Sequence, residues 1–77
     1  MSKLQELRKI KGISQNDLAL LTGISKRVIQ AYEQMKDRSL DGAGLDKLVP
    51  LALALDCKIS DLLEDSDLIE QCQKLGI

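Results

Sequence analysis

Apolar residues recur every three or four positions along most of the chain, the spacing that keeps one face of an α-helix dry. Leu4, Leu7 and Ile10 predict a first helix over residues 3–11, with Ser2 as its N-cap and Gly12 as its stop. Ser14 is placed to cap a second helix opened by Gln15, on which Leu18 and Leu21 lead towards Ile24 along one face. Ala19 lets a neighbouring helix pass close, and Gly23 stands where the chain needs a left-handed residue without the steric cost of a Cβ. Ser25 caps a third helix over residues 26–34. Ile29, Tyr32 and Glu33 share one side of it and Lys26, Arg27, Gln30 and Ala31 the other, with Val28 able to turn either way.

After an irregular stretch over residues 35–44, Leu45, Leu48, Leu51, Ala52 and Leu55 form the richest apolar stripe of the chain. Pro50 interrupts it, because proline lacks an N–H and crowds the preceding turn; a late helix start near residues 46–48 accommodates it better than a bend. Asp56 and Cys57 end that helix, and Ser60 caps a short fifth one over residues 61–64, which returns Leu62 and Leu63 to the core above Cys57 and Ile59. Ser66 could cap a last helix with Leu68, Cys72 and Leu75 on one face and Ile69 at its margin. That face either covers the domain or meets a second copy. No alternating pattern is sustained anywhere, so the predicted class is all-α.

Charge changes the picture more than composition does. Residues 1–38 carry eight basic and four acidic side chains, a balance of +4, whereas residues 39–77 carry three basic and eight acidic ones, a balance of −5. The overall −1 therefore hides a basic half able to face phosphate and an acidic half able to face away from it. With 77 residues the chain suits one domain, too small for a large core plus a substrate cleft. There is no histidine, no nucleophile–base spacing and no phosphate loop, so no enzymatic activity, metal or other cofactor is expected. Cys57 and Cys72 cannot make an ordinary four-ligand zinc site and are expected to be free thiols. No apolar run reaches the roughly 20 residues of a membrane span and no signal peptide is visible, so a soluble cytoplasmic protein is expected.

Gln15, Ala19, Gly23, Ile24, Ser25, Ile29, Tyr32 and Glu33 together make a helix–turn–helix signature. Through LRKIKGISQNDLA before the turn, GISKRVIQAYEQ across it and LVPLALALDCKISDLL after it, the sequence resembles the phage-repressor-like helix-turn-helix family, the group of lambda repressor and Cro, over residues 4–63. The resemblance implies a compact five-helix DNA-binding domain over residues 1–65, followed by a tail at residues 66–77 that is itself predicted helical. It implies that the third helix enters the major groove of double-stranded DNA, and that an Arg8–Glu33 ion pair fixes the first helix against the third. Gln15 would bond a phosphate at the start of the second helix. Lys36 and Arg38 would contact phosphates from the variable loop, where Met35 replaces the glycine common in relatives. Ser25 would sit at the DNA-facing start of the third helix.

For base reading, Arg27 could make two bonds to guanine, Lys26 could bond guanine or a phosphate, and Gln30 could read adenine or contact the backbone. Ala31 offers at most a methyl contact to thymine. The reading that follows is a transcriptional regulator, acting as a repressor in a bacterium, phage or mobile element, bound to DNA as a homodimer. Two alternatives use the same fold: an antitoxin that autoregulates its operon while holding a protein partner, and a protein-interaction module that has lost DNA binding.

Overall fold

A computed structural model describes residues 2–34 and 40–77. Among these residues five α-helices follow in order: α1 (Lys3–Ile10), α2 (Gln15–Thr22), α3 (Lys26–Gln34), α4 (Leu45–Leu55) and α5 (Ser66–Leu75), with 3₁₀ turns at Leu40–Gly42 and Ile59–Asp61. Among the described residues no strand occurs, and the all-α class holds. α2 packs on both α3 and α4, α1 packs on α3, and α5 lies against the second 3₁₀ turn. Leu4, Leu18, Ile29, Leu51, Leu55 and Leu62 are fully buried between them.

The helix starts are fixed by side chains that answer orphan backbone donors. Ser2, itself buried, accepts a bond from Gln5 N at 3.1 Å. Ser14 Oγ accepts from Asp17 N at 3.0 Å while the Asp17 carboxylate accepts from Ser14 N at 3.4 Å, a reciprocal capping box. The Ser-x-x-Asp spacing of residues 14–17 is the sequence signal for this box. Ser14→Ala removes an accepting oxygen at the first turn of α2 and is expected to cost about 1 kcal/mol. That corresponds to a fall in Tm of about 4–8 °C for a domain of this size, read by thermal unfolding followed by circular dichroism. An unchanged Tm would mean that water satisfies the Asp17 N–H equally well.

Several expectations change. Ile10, Leu21 and Leu45 lie exposed, although each belongs to an apolar stripe in the sequence. A three-residue step falls about 60° short of a full helical turn, so runs spaced only by threes drift around the helix and their outer members leave the core. α4 starts at Leu45 and carries Pro50 inside it, which overturns the late start. Gly44 O already accepts from Lys47 N and Leu48 N, so the helix is established before the proline. Pro50 removes only the helical donor for the Asp46 carbonyl, and burial of Leu48, Leu51, Ala52 and Leu55 along the same helix offsets that loss. The short helix expected at residues 61–64 is instead the 3₁₀ turn Ile59–Asp61, in which Ser60 is buried and the Asp61 carboxylate accepts from Lys58 N at 2.9 Å. α5 is capped by Asp65, whose side chain accepts from Asp67 N and Leu68 N, and not by Ser66, which is its first residue.

The segment leading into α5 is tied to the rest of the fold. Asp41 Oδ1 accepts from Glu64 N at 2.8 Å and Asp65 N at 3.0 Å, and Glu64 Oε1 accepts from Lys3 N at 3.0 Å. Leu68, Ile69 and Cys72 pack against the core, so most of the apolar face of α5 covers the domain, while Leu75 remains exposed. Cys57 and Cys72 are free thiols, both half-buried. Burial pushes the Cys57 thiol up from its ordinary value, with Asp61 acting the same way and Lys11 against it, so at neutral pH it stays a protonated packing group.

Candidate nucleic-acid interface

The connection between α2 and α3 is short and fully specified. Gly23 adopts the left-handed conformation at φ 75° and its N–H bonds Ala19 O at 2.9 Å, which closes α2. Thr22 Oγ1 donates to Leu18 O at 2.7 Å and accepts from Ile24 N at 3.1 Å, pinning the turn from the other side. Ile24 is then buried and Ser25 Oγ accepts from Val28 N at 3.3 Å, starting α3. The turn thus sets the angle at which α3 leaves α2 through hydrogen bonds as well as packing.

On α3 the two sides divide sharply. Ile29, Tyr32 and Glu33 are buried. Ser25, Lys26 and Arg27 are exposed at its first turn, and Gln30 and Ala31 are half-buried one turn further on. Val28 is half-buried against the core, so it packs inward. Lys36 and Arg38, and the turn at Met35, lie outside the described residues.

Beneath this surface runs a polar chain that crosses three helices. Arg8 Nε donates to Glu33 Oε2 at 2.7 Å and Arg8 Nη2 donates to Glu33 Oε1 at 3.1 Å, a two-pronged ion pair between α1 and α3. The third nitrogen, Nη1, donates to Ile13 O at 3.0 Å and ties down the loop before α2. Only 12% of the Arg8 side chain and 3% of the Glu33 side chain meet solvent, so this pair belongs to the interior. The hydrogen bond that Arg8 donates to Glu33 raises the guanidinium pKa further above its ordinary value, against desolvation. Gln15 Nε2 also donates to Glu33 Oε1, at 3.1 Å, and Gln15 Oε1 accepts from Gln30 Nε2 at 3.2 Å. Among the described residues no buried side-chain nitrogen or oxygen lacks a partner.

Gln15 therefore has two intramolecular partners where the resemblance assigned it a phosphate. Its amide retains a second N–H, and it lines an open cleft with Arg8, Ser14, Asn16 and Lys26 at the N-terminus of α2. The Lys26 ammonium and the free N–H groups of a helix start make that cleft suited to an anion. The structure brings Gln15, Lys26 and Gln30 into one neighbourhood, with Arg27 next to Lys26 on the same exposed turn. The coupling of Gln15 to Glu33 and Gln30, and the role of Thr22, were absent from the sequence reading. Residues 15, 18 or more positions apart carry no periodic signal, so only the folded chain reveals such a chain of bonds.

Two helices joined by a glycine turn, the second exposing Lys26 and Arg27 beside the N-terminal cleft of the first, define a helix-turn-helix DNA-binding domain. Residues 3–67 match the model of the Cro/C1-type HTH DNA-binding domain, and the chain belongs to that family. The family is one of DNA-binding domains and not of enzymes. No curated protein and no solved structure matches the chain. Among the described residues no group of histidine, cysteine, aspartate or glutamate side chains is placed to hold a metal ion, and no helix is long and apolar enough to cross a membrane.

Proposed function

We propose that the protein is a sequence-specific transcriptional regulator, acting as a repressor in a bacterium, phage or mobile element, that reads the DNA major groove with α3. The observation carrying this reading is the exposure of Lys26 and Arg27 on the first turn of α3, beside a cleft that Arg8, Gln15 and Lys26 help to line. A DNA phosphate seated in that cleft would fix the register of the duplex, and the exposed turn would then reach base edges. Gln15, Ser25, Lys26, Arg27, Gln30 and Ala31 form the contact surface, with Lys36 and Arg38 as further phosphate contacts. The working unit on DNA is a homodimer over two half-sites, with residues 1–65 as the DNA-binding domain and residues 66–77 as a tail that completes its core.

Selection of binding sites from a random duplex pool at several stated salt concentrations tests the reading. An enriched motif is expected, arranged as two half-sites about one helical turn apart, with affinity falling as salt rises. Weak salt-sensitive binding without enrichment would reject sequence-specific regulation and favour a protein-interaction module. A motif without two-fold repetition, bound by one copy in sedimentation, would reject the homodimer alone.

A further inference from the structure

Gln30 is not a free side chain on α3, because its amide nitrogen donates to Gln15, whose own amide nitrogen donates to Glu33. We propose that the buried Glu33 carboxylate, acting through Gln15, fixes the direction in which Gln30 presents its amide to DNA, and so selects adenine at the base pair that Gln30 meets. The inference rests on the reading of α3 as the groove-reading helix.

The direction follows from chemistry and not from the shape of the side chains. A carboxylate accepts hydrogen bonds and donates none, and both oxygens of Glu33 already bond Arg8. The group that Gln15 turns to Glu33 must therefore be its NH₂. Its carbonyl oxygen then faces Gln30, and only the NH₂ of Gln30 can answer it. Turning either amide over would set two acceptors against each other. The Gln30 carbonyl is left pointing away from this relay, with one remaining N–H beside it. Gln30 follows Lys26 by four positions and Arg27 by three, so all three share a side of the helix.

An amide held in that direction matches adenine, whose N6 amino group donates and whose N7 accepts in the major groove. Cytosine meets the carbonyl alone, through its N4 amino group. Guanine and thymine bring the acceptors O6 and O4 against the carbonyl and are disfavoured. Gln30 is the contacting residue, while Gln15 and Glu33 are positioning residues that no base touches. Without the relay, the Gln30 amide could rotate to suit any of the four bases. The Glu33 carboxylate would then stabilise the fold without affecting specificity.

The test compares site selection from the same random duplex pool for the wild type, Gln30→Ala and Gln15→Met, the last keeping side-chain length while removing both relay bonds. In the wild type one position should favour adenine over guanine by roughly 5-fold or more. Gln30→Ala should abolish that preference, and Gln15→Met should reduce it towards 1-fold while leaving positions that depend on Arg27 unchanged. A merely structural role for Gln15 would weaken all sequences equally. A motif with no position that responds to Gln30→Ala, or a preference that survives Gln15→Met, overturns the relay alone. Absence of any wild-type motif overturns the reading of α3 together with it. An independent check on wild-type protein without DNA is solvent exchange of the glutamine side-chain amides by NMR: protection of those of Gln15 and Gln30 is expected, and exchange as fast as in an unfolded peptide overturns the relay.

Discussion

Replacing Arg8 with methionine should destabilise the domain by about 3–5 kcal/mol, the range for removing one partner of a buried ion pair. The loss comes from what is left behind. Glu33 sits with 3% of its side chain exposed and draws three of its hydrogen bonds from Arg8 and Gln15. Without the guanidinium, a carboxylate in the interior keeps a single neutral donor, and the Ile13 carbonyl loses its partner too. A small domain holds only about 5–15 kcal/mol in total, so the variant should melt tens of degrees lower or be partly unfolded at room temperature. Thermal and urea unfolding of both proteins measure this directly. A change below about 0.5 kcal/mol, the usual size for surface positions, would show that solvent reaches the pair freely.

The same argument predicts a non-additive cycle. Arg8→Met combined with Glu33→Leu removes both charges, and well-packed apolar replacements of buried pairs are often neutral or stabilising. The double variant should therefore recover most of the stability that Arg8→Met loses, which puts the coupling between the two sites at or above the upper end of the usual range of about 0.5–3 kcal/mol. Recovery would separate two roles that the structure joins in one side chain. Glu33 is dispensable for the core if its partner is also removed, but not for the orientation of Gln15.

How far the sequence carried these conclusions depended on the range of the interaction. Gly23, Ser2, Ser14 and Ser25 announce their places because each answers a need of its immediate neighbours, a left-handed turn or an orphan N–H. The extent of α3, from Lys26 to Gln34, is legible for the same local reason. Ile10 and Leu45 show where periodicity misleads: their spacing is helical, yet rotation around a short helix carries them out of the core. Pro50 misleads in the other direction, since its local cost is real but is outweighed by four neighbours buried on the same helix. Asp65 and Ser66 are both capping residues, so their adjacency left the cap ambiguous by one position; Asp65, whose N–H is bonded to Asp41, takes it. At the site, the exposure of Lys26 and Arg27 could be read from the helical period. The Arg8–Glu33 contact spans 25 positions and could come only from the resemblance. The bonds from Gln15 to Glu33 and Gln30 could come from neither.

Arg27→Ala should leave the fold intact and remove base preference at one position per half-site. Arg27 is exposed on the first turn of α3 and takes part in none of the bonds that fix Gln30 or Glu33, so its removal should change stability by no more than about 0.5 kcal/mol. An arginine pointing into the groove can grip guanine O6 and N7 with two parallel N–H bonds, worth about 1–3 kcal/mol of discrimination against the wrong base. The variant should therefore bind its best site roughly 5–150-fold more weakly and lose preference at one position per half-site, while its affinity for unrelated DNA changes little. Arg27→Lys distinguishes recognition from charge. Lysine keeps the positive charge but offers a point donor without the planar fork, so it should restore little of the guanine preference. Lys26→Ala supplies the contrast. If Lys26 serves a phosphate, its loss weakens every sequence alike and lowers the slope of log affinity against log salt by about 1. Identical behaviour of the Arg27→Ala and Lys26→Ala variants, with no base position altered in either, would place both cations on the backbone and leave Gln30 to carry the discrimination.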